Sequence, residues 1–277
     1  MHNNKFEILT NMPQQVISVL QRSINLAHPS WHPHLWAGVQ AITIATPEYL
    51  PALMKNSFLP TQDRLFAAFS LPIDQVRYVL FGEGPYPREE SATGYCFMDG
   101  AVDSLWKPGS GLATRVNRAT SLRNFIKMLL VTDGMLAENN TGASAIRSIA
   151  DHICVAGSGW ITTRQELQDN FLHNGFLLLN ASLVFRPEVP PARDVDAWRP
   201  FIQHILTSIS GQSSDNPTII LWGKMAEQLK ILSEVNKLPC IVSEHPYNLS
   251  FIGNVSMQKF FKPFNLLSII QNSRTPL

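Results

Sequence analysis

The stretch VRYVLFGEGPYP at residues 76–87 decides the fold class of this chain. Residues 76–81 form a short apolar run typical of a buried strand, and residues 82–87 follow it with two glycines and two prolines. Three later apolar runs end in a similar way, at Asn180, at Trp222 with Gly223, and at His245 with Pro246. Open α/β sheets bind ligands beyond the carboxyl ends of their strands, so these four ends predict one ligand-binding crevice.

The rest of the pattern alternates between helices and strands. We predict strands at residues 76–81, 176–179, 218–222 and 240–243, and helices that include residues 122–131, 198–209 and 225–235. Ser121 is the predicted N-cap of the first of these helices, and Thr163 with Glu166 forms a predicted capping box for another. Residues 98–120 are predicted to form a long loop. Short apolar strands separated by helices predict an α/β fold, with a four-stranded parallel sheet flanked by helices.

Length and composition favour one globular domain over residues 1–277, with an N-terminal helical region at about residues 1–57. Apolar residues make up 45% of the chain and charged residues 16%, which argues against long disordered tails. The formal net charge is +1, so a nucleic-acid partner would have to be held by a local basic patch.

The cysteines and the N-terminus favour an intracellular protein. Cys96, Cys154 and Cys240 are isolated and form no CxxC motif, which disfavours a disulfide scaffold, a zinc site and a four-cysteine iron–sulfur cluster. Residues 1–5 do not begin a secretory signal, and no apolar run approaches membrane-spanning length. We therefore expect an intracellular chain with no membrane partner, cytoplasmic if its source is prokaryotic.

A series of short motifs runs through residues 58–261, and their order and spacing are more specific than any one of them. They are LP at 59–60, FAAF at 66–69, DQV at 74–76, GEGPYP at 82–87, GYCF at 94–97, SLRN at 121–124, LLLN at 177–180, WRPF at 198–201, IILWG at 219–223 and HPYNLS at 245–250. The series resembles the uracil-DNA glycosylase superfamily. The resemblance implies a three-layer α/β fold and a hydrolase that cleaves an N-glycosidic bond in DNA and leaves an abasic site. It implies no metal and no other cofactor, because the departing base is stabilised electrostatically.

The resemblance also implies a base pocket at the strand ends. An enzyme that flips a base out of a duplex needs a stacking face, a polar reader of the base edge and a partner for the departing anion. Phe97 would stack, Asn180 would read the edge, and His245 would hydrogen-bond the ring oxygen that gains negative charge. The other substrate-binding residues would be Gly82, Gly84 and Tyr86. Plainer alternatives stay open: Phe97 in the core, Asn180 capping a turn, and His245 as an ordinary turn histidine.

DNA contacts are expected from the same motifs. The predicted DNA-binding residues are Ser121, Arg123, Lys224, Tyr247, Asn248 and Leu249. The basic residues would contact phosphates, and Leu249 would fill the hole left in the stack, although a loop leucine more often packs inward. The expected partner is DNA, as a duplex with a flipped base (nucleoid DNA in a prokaryote), and the expected state is a monomer.

Two differences from the family pattern bear on catalysis. Gly84 stands where the main family has a water-activating aspartate, and Pro87 stands where it has a histidine. Glu83 is the nearest replacement and is predicted to orient the water, which makes Glu83, Asn180 and His245 the predicted catalytic residues. In the family, the tyrosine that matches Tyr86 crowds the pyrimidine C5 position and excludes thymine.

The loops that would scan DNA differ as well. Tyr247 and Asn248 stand in place of a small serine and a proline, and Lys224 stands where a serine follows the third strand. Coordinated change of this kind suggests an altered substrate rather than decay, so the base removed is expected to be uracil or a modified pyrimidine. One alternative is a glycosylase of hypermodified phage bases that acts in antiviral defence. A second is a non-catalytic DNA-binding module with a glycosylase fold.

Overall fold

The computed structural model describes residues 12–211 and 216–270, and the chain divides into two compact units. Met1–Asp99 and Gly175–Val242 form the sheet unit, and Gly100–Asn174 and Ser243–Leu277 form the helical unit. Residues 1–11 and 271–277 of the predicted domain, which include the start of the predicted N-terminal helical region, lie outside the described residues. None of the helices in the described part of the chain is long and apolar enough to cross a membrane.

The strands and helices of the described residues are numbered in chain order. The strands are β1 (Tyr78–Gly82), β2 (Trp106–Lys107), β3 (Gly111–Leu112), β4 (Phe176–Asn180), β5 (Thr218–Trp222) and β6 (Cys240–Ser243). The helices are α1 (Gln14–Asn25), α2 (His32–Ala45), α3 (Tyr49–Met54), α4 (Thr114–Arg118), α5 (Thr120–Thr132), α6 (Ala143–Ile153), α7 (Arg164–His173), α8 (Pro191–Ser210), α9 (Met225–Leu229), α10 (Ser233–Asn236) and α11 (Val255–Phe261).

A four-stranded parallel sheet with flanking helices confirms the predicted α/β fold. Its strand order is β4-β1-β5-β6, and β4 is buried along its whole length, as expected for a strand covered on both faces. Along the chain, β1 leads to β4 on one side and β5 then lies on the other side of β1. The carboxyl ends of β1 and β5 therefore form the switch point at which open sheets bind ligands.

Close packing of α2 on α8 anchors the sheet unit. A Cβ atom at Gly38 of α2 would lie 2.5 Å from the ring of Phe201 on α8, so only glycine allows this approach. Phe66, Phe69 and Trp198 surround Phe201 with ring centroids 5.7, 6.0 and 5.2 Å away. Aromatic pairs at these separations stabilise a core beyond simple burial, and this core fixes the helix that follows the loop after β4.

The helical unit has an aromatic core of its own. Phe125 of α5 lies 5.8 Å from Phe171 of α7 and 5.1 Å from Phe261 of α11, measured between ring centroids. The predicted capping box at the start of α7 is confirmed. Thr163 Oγ1 accepts the Glu166 N–H at 3.1 Å, and the Glu166 carboxylate accepts the Thr163 N–H at 2.8 Å.

Three local predictions are wrong. Ser121 is not an N-cap, because α5 begins at Thr120 and its N-cap is Ala119, which makes no side-chain hydrogen bond. The predicted loop at residues 98–120 contains β2, β3 and α4, because Trp106 and Leu112 are buried and pair across the turn between the two short strands. The predicted helix at residues 225–235 is two short helices, α9 and α10.

Candidate active site

Gly82 and Asn180 lie side by side where β1 and β4 end, as register partners in the sheet. A Cβ atom at Gly82 would lie 2.5 Å from Asn180 Oδ1 and 2.8 Å from Cys96 Cβ. Such distances are well inside the normal contact range, so only glycine lets the Asn180 side chain take its position. The position of the Asn180 side chain at the end of β4 therefore requires glycine at residue 82, at the end of β1.

Asn180 is a buried residue whose side-chain amide is left unpaired by the part of the chain that the structure describes. The residue is 3% exposed, and its side chain makes no hydrogen bond with any residue in the described ranges. The amide atoms of Asn180 are not among the solvent-excluded side-chain atoms that lack a partner in the described residues, so the amide is open at the strand end. It can offer a donor group and an acceptor group to a ligand there.

The loops after β1 and β4 are held together by backbone hydrogen bonds. Ala181 N–H donates to Gly82 O at 2.8 Å, and Ser182 N–H donates to Glu83 O at 3.0 Å. The pairing fixes the backbone of Glu83, while its side chain is exposed and makes no hydrogen bond or ion pair within residues 12–211 and 216–270. The backbone of Glu83 is thus fixed, and its carboxylate is exposed to solvent.

Gly84 is unlike Gly82, because it has open space beside it. The atoms nearest to a Cβ at Gly84 would be Ser182 O at 3.7 Å, Ser182 Cβ at 3.8 Å and Val184 O at 3.9 Å, all ordinary contacts. Next to it is a cavity of about 190 Å³, whose lining includes Glu83, Gly84, Pro85, Ser182, Arg186 and Asp194. The position where the family pattern has an aspartate could therefore hold a side chain.

The far wall of this cavity is a buried ion pair that sequence reasoning missed. Arg186 donates to both Asp194 carboxylate oxygens, at 3.1 and 2.6 Å, and Tyr49 Oη donates to the same carboxylate at 2.7 Å. Burial, followed by the Asp194 carboxylate, raises the pKa of Tyr49, so its phenol stays neutral. Bidentate pairing of this kind satisfies a buried carboxylate and holds the wall rigid. Arg186 and Asp194 are eight residues apart in no recognisable motif, so the sequence carried no signal for the pair.

Phe97 has a strained backbone. Its φ is +64°, in the left-handed region, which non-glycine residues occupy at a cost of about 1–3 kcal/mol. The segment is held by the Cys96 N–H, which donates to Leu178 O at 3.1 Å, and by Thr93 Oγ1, which donates to Met98 O at 2.9 Å. The half-buried Phe97 ring meets Trp222, at the end of β5, edge to face with centroids 5.3 Å apart. The strained backbone thus places the Phe97 ring against Trp222, at the carboxyl end of β5.

Tyr86 is half-buried beyond the Gly82 loop. Burial, followed by the nearby Asp99 carboxylate, raises the pKa of Tyr86, so its phenol is neutral at physiological pH. Asp99 is itself buried and lies 3.9 Å from the Arg88 guanidinium. Tyr86 therefore acts as a neutral, bulky group with one hydroxyl.

His245 lies on an exposed loop of the helical unit. Its Nδ1 accepts the Tyr247 N–H at 3.1 Å, and its carbonyl oxygen accepts the Asn248 N–H at 2.9 Å. A ring nitrogen that accepts an N–H carries no proton, so the proton of the neutral imidazole is on Nε2. Tyr247 is 66% exposed and Leu249 is 68% exposed, so this leucine does not pack inward.

The predicted DNA-binding residues fall into both units. Ser121 and Arg123 are half-buried on α5 of the helical unit, and Arg123 Nη1 donates to Asn117 O at 2.9 Å. Lys127, one turn further on, has a lowered pKa because of burial and the Arg123 charge. Lys224 is exposed in the sheet unit, two residues after the end of β5.

Each unit thus groups a different part of the predicted site. The sheet unit groups Gly82, Glu83, Gly84, Phe97 and Asn180, and the helical unit carries His245, Tyr247, Asn248 and Leu249 on one loop. Within the described residues, no cluster of three or more histidine, cysteine or acidic side chains could hold a metal ion.

Comparison with known proteins identifies the family of this chain. The family model described as "Uracil DNA glycosylase superfamily" matches residues 69–266, which is well over half of the chain. The chain therefore belongs to the uracil-DNA glycosylase superfamily, a class of hydrolases that act on N-glycosyl bonds.

Similar proteins and structures carry the same family name. A uracil-DNA glycosylase of Corynebacterium glutamicum is 28% identical over 251 residues, 89% of each chain. One of Amoebophilus asiaticus is 26% identical, over 92% of this chain and 98% of its own. The wild-type UNG crystal structure from Nitratifractor salsuginis superposes with a TM-score of 0.82 and 38% identity, covering 94% of this chain and 99% of that one. Mimivirus uracil-DNA glycosylase, at 15% identity and a TM-score of 0.53, shares the fold.

Proposed function

We propose that this chain excises uracil from DNA by hydrolysing its N-glycosidic bond, which leaves an abasic site. The observation that carries the proposal is the Asn180 amide at the end of β4, which makes no hydrogen bond with the described residues and whose position requires glycine at residue 82. Both uracil and cytosine present donors and acceptors along one edge, and a fixed amide discriminates between them by hydrogen bonding. The curated relatives named above are uracil-DNA glycosylases, which supports uracil as the base.

In this proposal the leaving base is stabilised by His245. As the bond breaks, its electrons go to the base, and negative charge develops on the carbonyl oxygen at C2, next to the glycosidic nitrogen. A neutral imidazole with its proton on Nε2 can donate to that oxygen without first losing or gaining a proton. The Tyr247 N–H on Nδ1 supports this role, because it sets the tautomer before the substrate arrives.

The same proposal gives Phe97 and Tyr86 the recognition of the flipped base. Phe97 supplies the stacking face, and its left-handed backbone is the kind of strain that functional positions retain. Tyr86, neutral and half-buried, limits the space at the pyrimidine C5 position. Ser121, Arg123 and Lys224 contact phosphates.

Water activation is assigned to Glu83, because its carboxylate has no partner in the described residues and its backbone is fixed by Ser182. A positioned general base contributes about 100-fold to 10,000-fold. Glu83→Gln, which keeps the side-chain shape, should slow excision by at least about 100-fold while DNA affinity is unchanged. An unchanged rate would remove Glu83 from the mechanism.

A second candidate substrate is a modified pyrimidine, such as a hypermodified phage base, in a role in antiviral defence. The open space at Gly84 and the adjoining cavity favour this alternative, because both give room that an aspartate would fill.

Single-turnover excision on matched duplexes distinguishes these functions. The duplexes carry uracil, thymine, 5-hydroxymethylcytosine or its glucosylated form at one position, and hot alkali reveals abasic sites. We expect cleavage at uracil, with His245→Ala slower by at least about 100-fold as the control. Cleavage at a modified cytosine alone would favour the defence role. DNA binding with no cleavage on any duplex would assign the chain to non-catalytic binding.

A further inference from the structure

One buried asparagine, Asn124, holds the loop that carries His245 through contacts with the carbonyl oxygens of residues 246–248; these contacts are called the clamp. Asn124 lies on α5 and is fully buried. Its amide Nδ2 donates to Pro246 O at 2.8 Å and Tyr247 O at 3.2 Å, and lies 3.5 Å from Asn248 O. One side chain thus contacts the carbonyl oxygens of three successive residues in a loop where Pro246 is buried and residues 247–249 are exposed.

The orientation of this amide is unambiguous. Its oxygen, Oδ1, faces the Arg123 guanidinium, whose Nε lies 3.4 Å away, and its nitrogen faces only carbonyl oxygens. Reversal would set the amide oxygen against three carbonyls and the amide nitrogen against a cation. Arg123 is in turn held by the carbonyl of Asn117 at 2.9 Å.

The backbone of Tyr247 connects the clamp to the His245 imidazole. Asn124 binds the carbonyl of Tyr247, and the N–H of the same residue donates to His245 Nδ1. With the carbonyls of residues 246–248 turned inward, the side chains of Tyr247 and Leu249 point to solvent. Loss of the clamp would therefore release both the side chains and the imidazole orientation.

We propose that Asn124 is a positioning residue, which holds the loop so that His245 meets the leaving base and Leu249 is presented outward. This inference rests on the proposed function for the role of His245. The geometry of the clamp does not depend on that function, and so it can be tested separately.

Asn124→Asp is the sharpest perturbation, because it keeps the shape and replaces the donating nitrogen with an oxygen facing three carbonyls. Asn170→Asp is its matched control. Asn170 is also buried in the helical unit, and its amide donates to Leu266 O and Ser268 O, both at 2.8 Å. Asn124→Ala, which removes the donor without adding repulsion, serves if the aspartate variant does not fold.

Two measurements test the clamp: the single-turnover rate and the hydrogen exchange of one backbone amide. Both are made at a temperature where all variants are folded. The maximal single-turnover rate on uracil duplex should fall about 100-fold in Asn124→Asp, with a smaller change in half-saturating concentration, since a misplaced catalytic group loses about this much. Asn170→Asp should keep the rate within about threefold, because it alters no part of the loop. Equal losses in the two variants, or none in Asn124→Asp, would overturn the proposal.

Hydrogen exchange of the Asn248 amide gives a readout that needs no activity. This amide donates to His245 O at 2.9 Å, and its exchange should speed up at least about tenfold in Asn124→Asp and not in Asn170→Asp. An unchanged exchange rate would overturn the clamp. If the wild-type protein cleaves no uracil while this exchange increases, the proposed function fails and the clamp stands.

Discussion

Adding one methyl group at Gly82 should displace the side chain of Asn180, the residue proposed to read the base, without mutating Asn180 itself. In Gly82→Ala the new Cβ would lie 2.5 Å from Asn180 Oδ1 and 2.8 Å from Cys96 Cβ. To reach an ordinary contact distance the amide oxygen must retreat by roughly 1 Å. Cys96 cannot yield instead, because its N–H and Sγ are bonded to Leu178 O and Leu80 O at 3.1 Å each.

The magnitude follows from that displacement. A misplacement of about 1 Å at a catalytic site lowers the rate by about 100-fold, and overpacking of this kind destabilises a protein by about 1–3 kcal/mol. We therefore expect Gly82→Ala to excise uracil about 100-fold more slowly than the wild type in single turnover. DNA affinity should change little, since phosphate contacts supply most of it.

The control is a second glycine in the same loop. Gly84→Ala adds the same methyl group where the nearest atom is 3.7 Å away, so it should keep the wild-type excision rate. Both variants are compared at a temperature where circular dichroism shows them folded. A Gly82→Ala rate close to that of Gly84→Ala would refute the assignment of Asn180 as base reader.

Three further outcomes are expected. Gly84→Asp should speed uracil excision about 10-fold to 100-fold in single turnover, because the atom nearest to a Cβ at this position is Ser182 O at 3.7 Å and the adjoining cavity gives room for a side chain; no gain would show that the aspartate position has lost its function. Burial raises the pKa of Asp133 to about 6, so its folded form favours the protonated carboxyl and stability is lost as pH rises through 6. Because Asp133 is partly exposed and solvent screens its charge, Asp133→Asn should raise the free energy of unfolding by only about 1 kcal/mol at pH 7.5 and not at pH 4, and equal gains in thermal unfolding at both pH values would contradict this. Thr163→Ala should lower the free energy of unfolding by about 1 kcal/mol in urea titration, and an unchanged midpoint would contradict the capping box.

Features that depend on neighbouring residues were predictable from the sequence. The strand ends were predicted because apolar runs interrupted by glycine and proline report local backbone preference. The Thr163 capping box was predicted for the same reason, since its partners are three residues apart. Ser121 was misassigned as a cap because α4 ends one residue before Ala119, which leaves Ser121 inside the first turn of α5.

Features that depend on distant pairing were not predictable. The Gly82–Asn180 contact arises from the register of β1 against β4, which no local pattern specifies. Asn124 was missed as a loop clamp because its partner carbonyls lie 122 to 124 residues away along the chain. A buried asparagine in a helix has no sequence signal that separates it from an ordinary polar position.

Release of a free base from DNA is tested most directly by quantifying free uracil by mass spectrometry and abasic sites by alkali cleavage after one turnover on a uracil-containing duplex. We predict equal amounts of both for the wild-type protein, and at least about 100-fold slower release for Asn180→Ala and His245→Ala. Full binding of the duplex with no free uracil would contradict the account.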